Sequence, residues 1–160
     1  AVAVTLPGYR GDAHARKQTA SERRELLPNL LAALKPRSAV LVVAASMGGT
    51  YASRFVLEHP ERIAGYVTVA AALDTAQLHA APSSAPTLLI WGELDRTPTA
   101  PTERFFARAS RVVLAGAPHP CYLAAPRLFS ARLAEFAGGA VADRAPLSVR
   151  ASWAGSAVEL

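Results

Sequence analysis

At 160 residues and 51% hydrophobic, the chain can bury a core and fits one domain, and no apolar stretch in it reaches the length of a membrane span. The net charge of +5 comes almost wholly from arginines scattered among acids rather than gathered on one face, which argues against nucleic acid as a partner. The one cysteine, Cys121, cannot form an internal disulfide, so no oxidising compartment is required and a cytoplasmic or nuclear setting is expected.

The chain opens Ala1-Val2-Ala3-Val4, without a methionine or the order of a signal peptide, and any targeting or membrane-anchoring segment is expected upstream. "AVAVTL" (1–6), ended by Pro7-Gly8, reads as a buried strand entering a turn. After a polar loop, Thr19 and Glu22 have the spacing of a capping box. The helix it starts carries Leu26, Leu27, Leu30, Leu31 and Leu34 toward a core, with a kink or a second start expected at Pro28. "AVLVV" (39–43) is apolar without alternation, as in a strand covered on both faces. Residues 50–58 read as a helix that buries Tyr51, Phe55 and Val56 and stops at His59-Pro60. Strands follow at 63–71, 87–91 and 111–115, with helices near 102–109 and 126–136. The alternation predicts an α/β fold, a mainly parallel sheet of about five strands flanked by helices, over residues 1–137. From Gly138 the chain loses periodicity, and 138–160 reads as a flexible or non-homologous tail.

In "AASMGG" (44–49), Ser46 follows a strand and precedes a helix among small residues. A nucleophile elbow places its serine in that way, on a strained turn that only small neighbours permit. A glycine turn with an incidental serine is the plain alternative; a P-loop is disfavoured because no Gly-Lys-Ser/Thr follows. Asp95 lies just past the strand of "LLIWGELD", and His119 just past the strand of "RVVLAGAPHP". Serine, acid and histidine thus come in the chain order of α/β hydrolases, each at the carboxyl end of a strand. In that arrangement Ser46 attacks a carbonyl, His119 shuttles its proton, Asp95 orients the imidazole, and the Met47 N–H is an oxyanion donor. Asp74 and Glu93 remain alternative acids, with Glu93 better read as a brace for its loop. His14, His59 and His79 read as surface residues, and Cys121 as a packing residue rather than a nucleophile.

Together "AVAVTLPGYRG", "AVLVVAASMGG", "PTLLIWGELD" and "AGAPHPCYLAAP" resemble the alpha/beta-hydrolase-domain-containing protein 14 family over roughly residues 1–137, with "HPCYL" the most specific element. The resemblance maps that family's serine, acid and histidine onto Ser46, Asp95 and His119. It implies small acyl substrates: esters, or acetyl on lysine with coenzyme A as the acyl acceptor, and no metal or tightly bound cofactor. The sequence departs from the family at Ala44 and Ala45, where the family has Ser and Pro, and at Pro118, where it has Gly. It also implies that residues 1–6 correspond to the family's fourth strand, so that three strands and a histidine-glycine loop with the second oxyanion donor would precede Ala1. On that expectation residues 1–5 either close onto 39–43 or drift free, and the stretch alone is weakly active. The alternative function is a catalytically weakened, hydrolase-like binding module that acts through protein contacts. A nucleotide-binding domain is disfavoured, since "LPGYRGD" lacks a phosphate-grasping glycine loop.

Overall fold

A computed structural model describes residues 1–9, 16, 18–73, 81–139 and the strand 148–151. His14, Asp74, His79 and most of the expected tail lie outside those residues.

Helix α1 (Ala20–Leu34) begins at the Thr19 capping box: the Thr19 hydroxyl accepts the Glu22 N–H, and the Glu22 carboxylate accepts the Thr19 N–H at 2.8 Å. It runs through Pro28 without a second start and ends at Lys35 in the left-handed conformation, φ 45°. Then follow β1 (Val40–Ala45), a 3-10 turn (Ser46–Gly48), α2 (Gly49–Glu58), β2 (Ile63–Val69) and β3 (Thr87–Gly92). The chain continues with α3 (Ala100–Phe105), β4 (Ser110–Leu114), α4 (Cys121–Ala124), α5 (Pro126–Gly139) and β5 (Ser148–Ala151). The strands pair in chain order, all parallel, so their carboxyl ends line one edge of the sheet. Within the stretch expected as a tail, α5 extends to Gly139 and Ser148–Ala151 adds a strand beside β4.

Two apolar cores sandwich the sheet. Leu31, Phe55, Val56, Tyr66, Trp91 and Phe106 fill the side of α1 and α2. Val67, Ile90, Val112, Leu114 and Cys121 fill the other, with Phe129, Leu133 and Phe136 of α5 packed against them. Tyr66, fully buried, shares a 2.8 Å hydrogen bond with the Ser53 hydroxyl, and burial pushes its phenol up to about 12.

Two expectations fail at one place. Residues 1–6 form no strand, and Val2 and Val4 are exposed. β1 is therefore an edge strand rather than a covered one, with Leu41 and Val43 40% and 46% exposed. A strand is stabilised by a paired neighbour on the sheet plane, and apolar side chains alone do not supply one. For the same reason only Leu31 of the five α1 leucines is buried and Leu34 is exposed. The others line a groove of about 870 Å³ between α1, β1 and residues 1–4.

Candidate active site

The site is built where β1, β3 and β4 end. β1 hands directly into the 3-10 turn, and Ser46 takes a left-handed φ of 48°, a conformation that an L-residue adopts only when its surroundings enforce it. Two bonds hold it there. The Ser46 carbonyl accepts the Ala72 N–H at 2.8 Å, and one turn on, the Thr50 hydroxyl donates to the Met47 carbonyl at 2.8 Å. Gly49 lets the turn press against the end of β2: a Cβ there would lie 2.4 Å from the Ala72 carbonyl oxygen and 2.7 Å from Ala71 Cβ. The Met47 N–H belongs to the first turn of the helical segment, where amides have no intrahelical acceptor and the backbone dipole favours negative charge.

β1 and β3 are two strand spacings apart, about 10 Å, so the acid and the histidine must reach back toward the serine from their loops. After β3, the Asp95 N–H bonds to the Gly92 carbonyl at 3.0 Å, and Asp95 Oδ1 accepts the Thr97 N–H at 2.8 Å. Trp91 closes the same loop, its indole N–H donating to the Thr97 carbonyl at 3.2 Å. After β4, the histidine loop lies directly on Gly92, where a Cβ would meet the Ala117 carbonyl oxygen at 2.2 Å.

These loops bring Ser46, His119 and Asp95 into one line. His119 Nδ1 lies 2.8 Å from Asp95 Oδ2, and His119 Nε2 lies 2.9 Å from Ser46 Oγ. An ionised carboxylate can only accept, so Nδ1 carries the proton; Nε2 of the neutral ring is then left to accept the serine O–H. The Asp95 side chain is only 1% exposed, whereas the imidazole is 36% exposed and open to a substrate. Burial alone would raise the Asp95 carboxyl, but the Thr97 amide, His119 and the Thr97 hydroxyl outweigh it and hold it below 3.8. Asp95 stays charged at neutral pH.

The other candidates stand elsewhere. Glu93 Oε2 accepts the Gly116 N–H at 2.9 Å, so its carboxylate meets the histidine loop and not the imidazole. His59 is exposed, its ring tilted against Phe55 with centroids 4.7 Å apart and its Nδ1 3.6 Å from Glu61. Cys121 is buried, and burial with the nearby Asp95 charge pushes its thiol up to about 11, which makes it a poor nucleophile. Among the described residues, no cluster of His, Cys, Asp and Glu suits a metal ion. The sequence reading missed Thr97 and Ala72. Asp95-Arg96-Thr97 carries the spacing of an Asx turn and could have announced the first; only the folded packing reveals the second.

Comparison with known proteins gives this geometry its context. A model of the alpha/beta hydrolase fold matches residues 6–85. The chain belongs to the alpha/beta hydrolase family. It is 35% identical over 142 residues to Protein ABHD14A of Rattus norvegicus, covering 85% of this chain and 58% of that protein. To the Danio rerio protein of the same name it is 34% identical over 144 residues, covering 85% and 52%. The chain thus spans about half the length of the curated relatives it matches. These relatives agree with the resemblance read from the elbow, acid and "HPCYL" segments. Among solved structures, a predicted CIB-like hydrolase from Thermoplasma acidophilum superposes with a TM-score of 0.66 at 21% identity, covering 82% of this chain and 68% of that one. A marine microorganism esterase does so with a TM-score of 0.66 at 16% identity, covering 77% of this chain and 79% of that one. At those identities the likeness speaks to the fold. No helix among the described residues is long and apolar enough to cross a membrane.

Proposed function

We propose that this alpha/beta hydrolase carries out serine-dependent acyl cleavage or transfer on small acylated substrates, with Ser46, His119 and Asp95 as its catalytic residues. One observation supports the reading above all: the continuous path from Ser46 Oγ through the imidazole to Asp95, with spans of 2.9 and 2.8 Å, on a serine held at positive φ. Ser46 Oγ attacks the substrate carbonyl carbon as its proton passes to His119 Nε2, and the carbonyl π bond opens to an oxyanion facing the Met47 N–H. The imidazolium formed is stabilised by charged Asp95. The tetrahedral intermediate collapses, the bond to the leaving group breaks, and His119 returns the proton to that group. Ser46 is left as an acyl ester. Water, or a thiol such as that of coenzyme A, gives its proton to His119 and attacks the acyl carbon; the second tetrahedral intermediate breaks its bond to Ser46 Oγ, and His119 returns the proton to Ser46. Esterase, acyltransferase and deacetylase chemistries differ here only in the leaving group and in the final acceptor. No metal or bound cofactor takes part in this scheme.

The test is labelling of the purified 160-residue chain with a fluorophosphonate, followed by peptide mapping. Label on Ser46 in the wild type and none in Ser46→Ala is the expected result. A folded wild-type chain that takes up no label, or takes it up equally after Ser46→Ala, would refute the proposal.

A further inference from the structure

We infer that Glu93 is a positioning residue for His119: its carboxylate tethers the histidine loop at the setting where the imidazole meets both Ser46 and Asp95. The inference rests on the acyl-transfer reading and deepens it.

β3 and β4 end side by side, and three hydrogen bonds join the segments that continue from them. The Glu93 N–H donates to the Leu114 carbonyl at 2.9 Å, and the Leu94 N–H to the Ala117 carbonyl at 3.0 Å. The Gly116 N–H donates to Glu93 Oε2 at 2.9 Å. Any residues could make the first two bonds, because they are wholly backbone. The third needs an acceptor on the side chain at position 93.

Its placement in the loop gives it consequence. Gly116 turns the chain at a φ of +66°, and a Cβ there would meet nothing, so packing does not confine this residue, although its neighbour Ala117 is buried against Gly92. Pro118 has no N–H, and the Ala117 N–H returns to the Leu114 carbonyl at 3.2 Å within its own loop. The Gly116 N–H is therefore the amide that crosses from this turn to the neighbouring loop, and it meets a carboxylate, an acceptor stronger than a neutral one. Three residues later stands His119; two residues after Glu93 stands Asp95. One short segment thus holds the histidine loop at its base through Glu93 and at its ring through Asp95. Releasing the base lets the imidazole pivot about the Asp95 bond, away from Ser46 Oγ. Small displacements of reacting groups cost rate steeply.

Wild type, Glu93→Ala and Glu93→Gln are compared in fluorophosphonate labelling of Ser46, with kinact and KI separated, and in amide hydrogen exchange at Gly116 followed by NMR. Alanine removes the acceptor, whereas glutamine keeps an oxygen and removes the charge. Expected for Glu93→Ala is a kinact about tenfold lower, the size of one hydrogen bond to a charged group, at unchanged KI, with faster exchange at Gly116 and a thermal midpoint lowered by no more than about a few degrees. Glu93→Gln should fall between the two, about threefold below wild type, since its neutral oxygen keeps about half of the bond. Wild-type kinact and exchange in Glu93→Ala would overturn the tether, and a Glu93→Gln as slow as Glu93→Ala would assign the effect to charge instead. A wild type that takes no label would remove the acyl-transfer reading; Gly116 exchange would then decide the tether alone, faster in Glu93→Ala upholding it and unchanged overturning it.

Discussion

Gly49→Ala should damage both stability and the serine, and the magnitude follows from where its methyl would go. The new Cβ would lie 2.4 Å from the Ala72 carbonyl oxygen and 2.7 Å from Ala71 Cβ, whereas ordinary contact begins at 3.4 Å, so the segment after β2 must retreat by about 1 Å. Overpacking of that kind costs about 1–3 kcal/mol. The retreat also stretches the bond from the Ala72 N–H to the Ser46 carbonyl, now 2.8 Å, a further loss of about 1 kcal/mol. A total of about 2–4 kcal/mol lowers the thermal midpoint of a domain this size by roughly 5–15 °C. Because that bond helps to hold Ser46 at a φ of 48°, fluorophosphonate labelling should slow by about tenfold or more. Gly48→Ala is the matched control for stability: its Cβ would have only Ala44 Cβ nearby, at an ordinary 3.7 Å, on backbone with φ −55°. That variant should be neutral or stabilised by about 0.4–1 kcal/mol. Thermal unfolding of the pair decides the matter. A Gly49→Ala as stable and as readily labelled as wild type would refute the argument that this contact sets the elbow.

Four further outcomes are expected. Asp95→Asn should lower kcat for ester cleavage about 10³- to 10⁴-fold, because an amide no longer selects the Nδ1–H tautomer or stabilises the imidazolium. Since the folded protein holds the Asp95 carboxyl below 3.8, its stabilisation is full above that pH and is lost as pH falls through the lower folded value. Thermal midpoints measured from pH 6 to pH 2 should therefore fall less in Asp95→Asn than in wild type. Thr19→Ala removes the capping box of α1 and should cost about 1 kcal/mol of stability in thermal melts, with Ser46 labelling unchanged. Cys121, buried with its thiol raised to about 11, should resist iodoacetamide at pH 8 in the native protein and react fully after denaturation, as read by intact mass.

What could be read from the sequence was what local residues decide. The capping box at Thr19 and four of the strands are carried by short spacings that need only their own neighbours, and the serine, the acid and the histidine could each be placed by the strand just before it. The reading failed where a segment's state depends on a partner strand. "AVAVTL" has the composition of a strand but lies exposed and unpaired, and "AVLVV" became an edge although its apolar run suggested cover on both faces. Residues 148–151 went the other way: read as part of a tail, they pair with β4.

The contacts that fix the candidate site were the least legible, because they are long-range and made largely by backbone. Gly49 and Gly92 look alike in sequence to Gly48, yet a methyl at either of the first two would strike a carbonyl oxygen, at 2.4 and 2.2 Å, while one at Gly48 finds ordinary space. The first close approach sets the serine turn against the end of β2, and the second sets the histidine loop on the end of β3. Side-chain identity at Ser46, His119 and Asp95 carries the proposed chemistry, whereas the absence of a side chain at Gly49 and Gly92 lets the segments that bear those groups pack against their neighbours. That division makes a sharp demand on mutagenesis. Substitutions at Ser46, His119 and Asp95 should abolish chemistry in a folded protein, whereas substitutions at Gly49 and Gly92 should weaken fold and chemistry together, because the same backbone contact serves both.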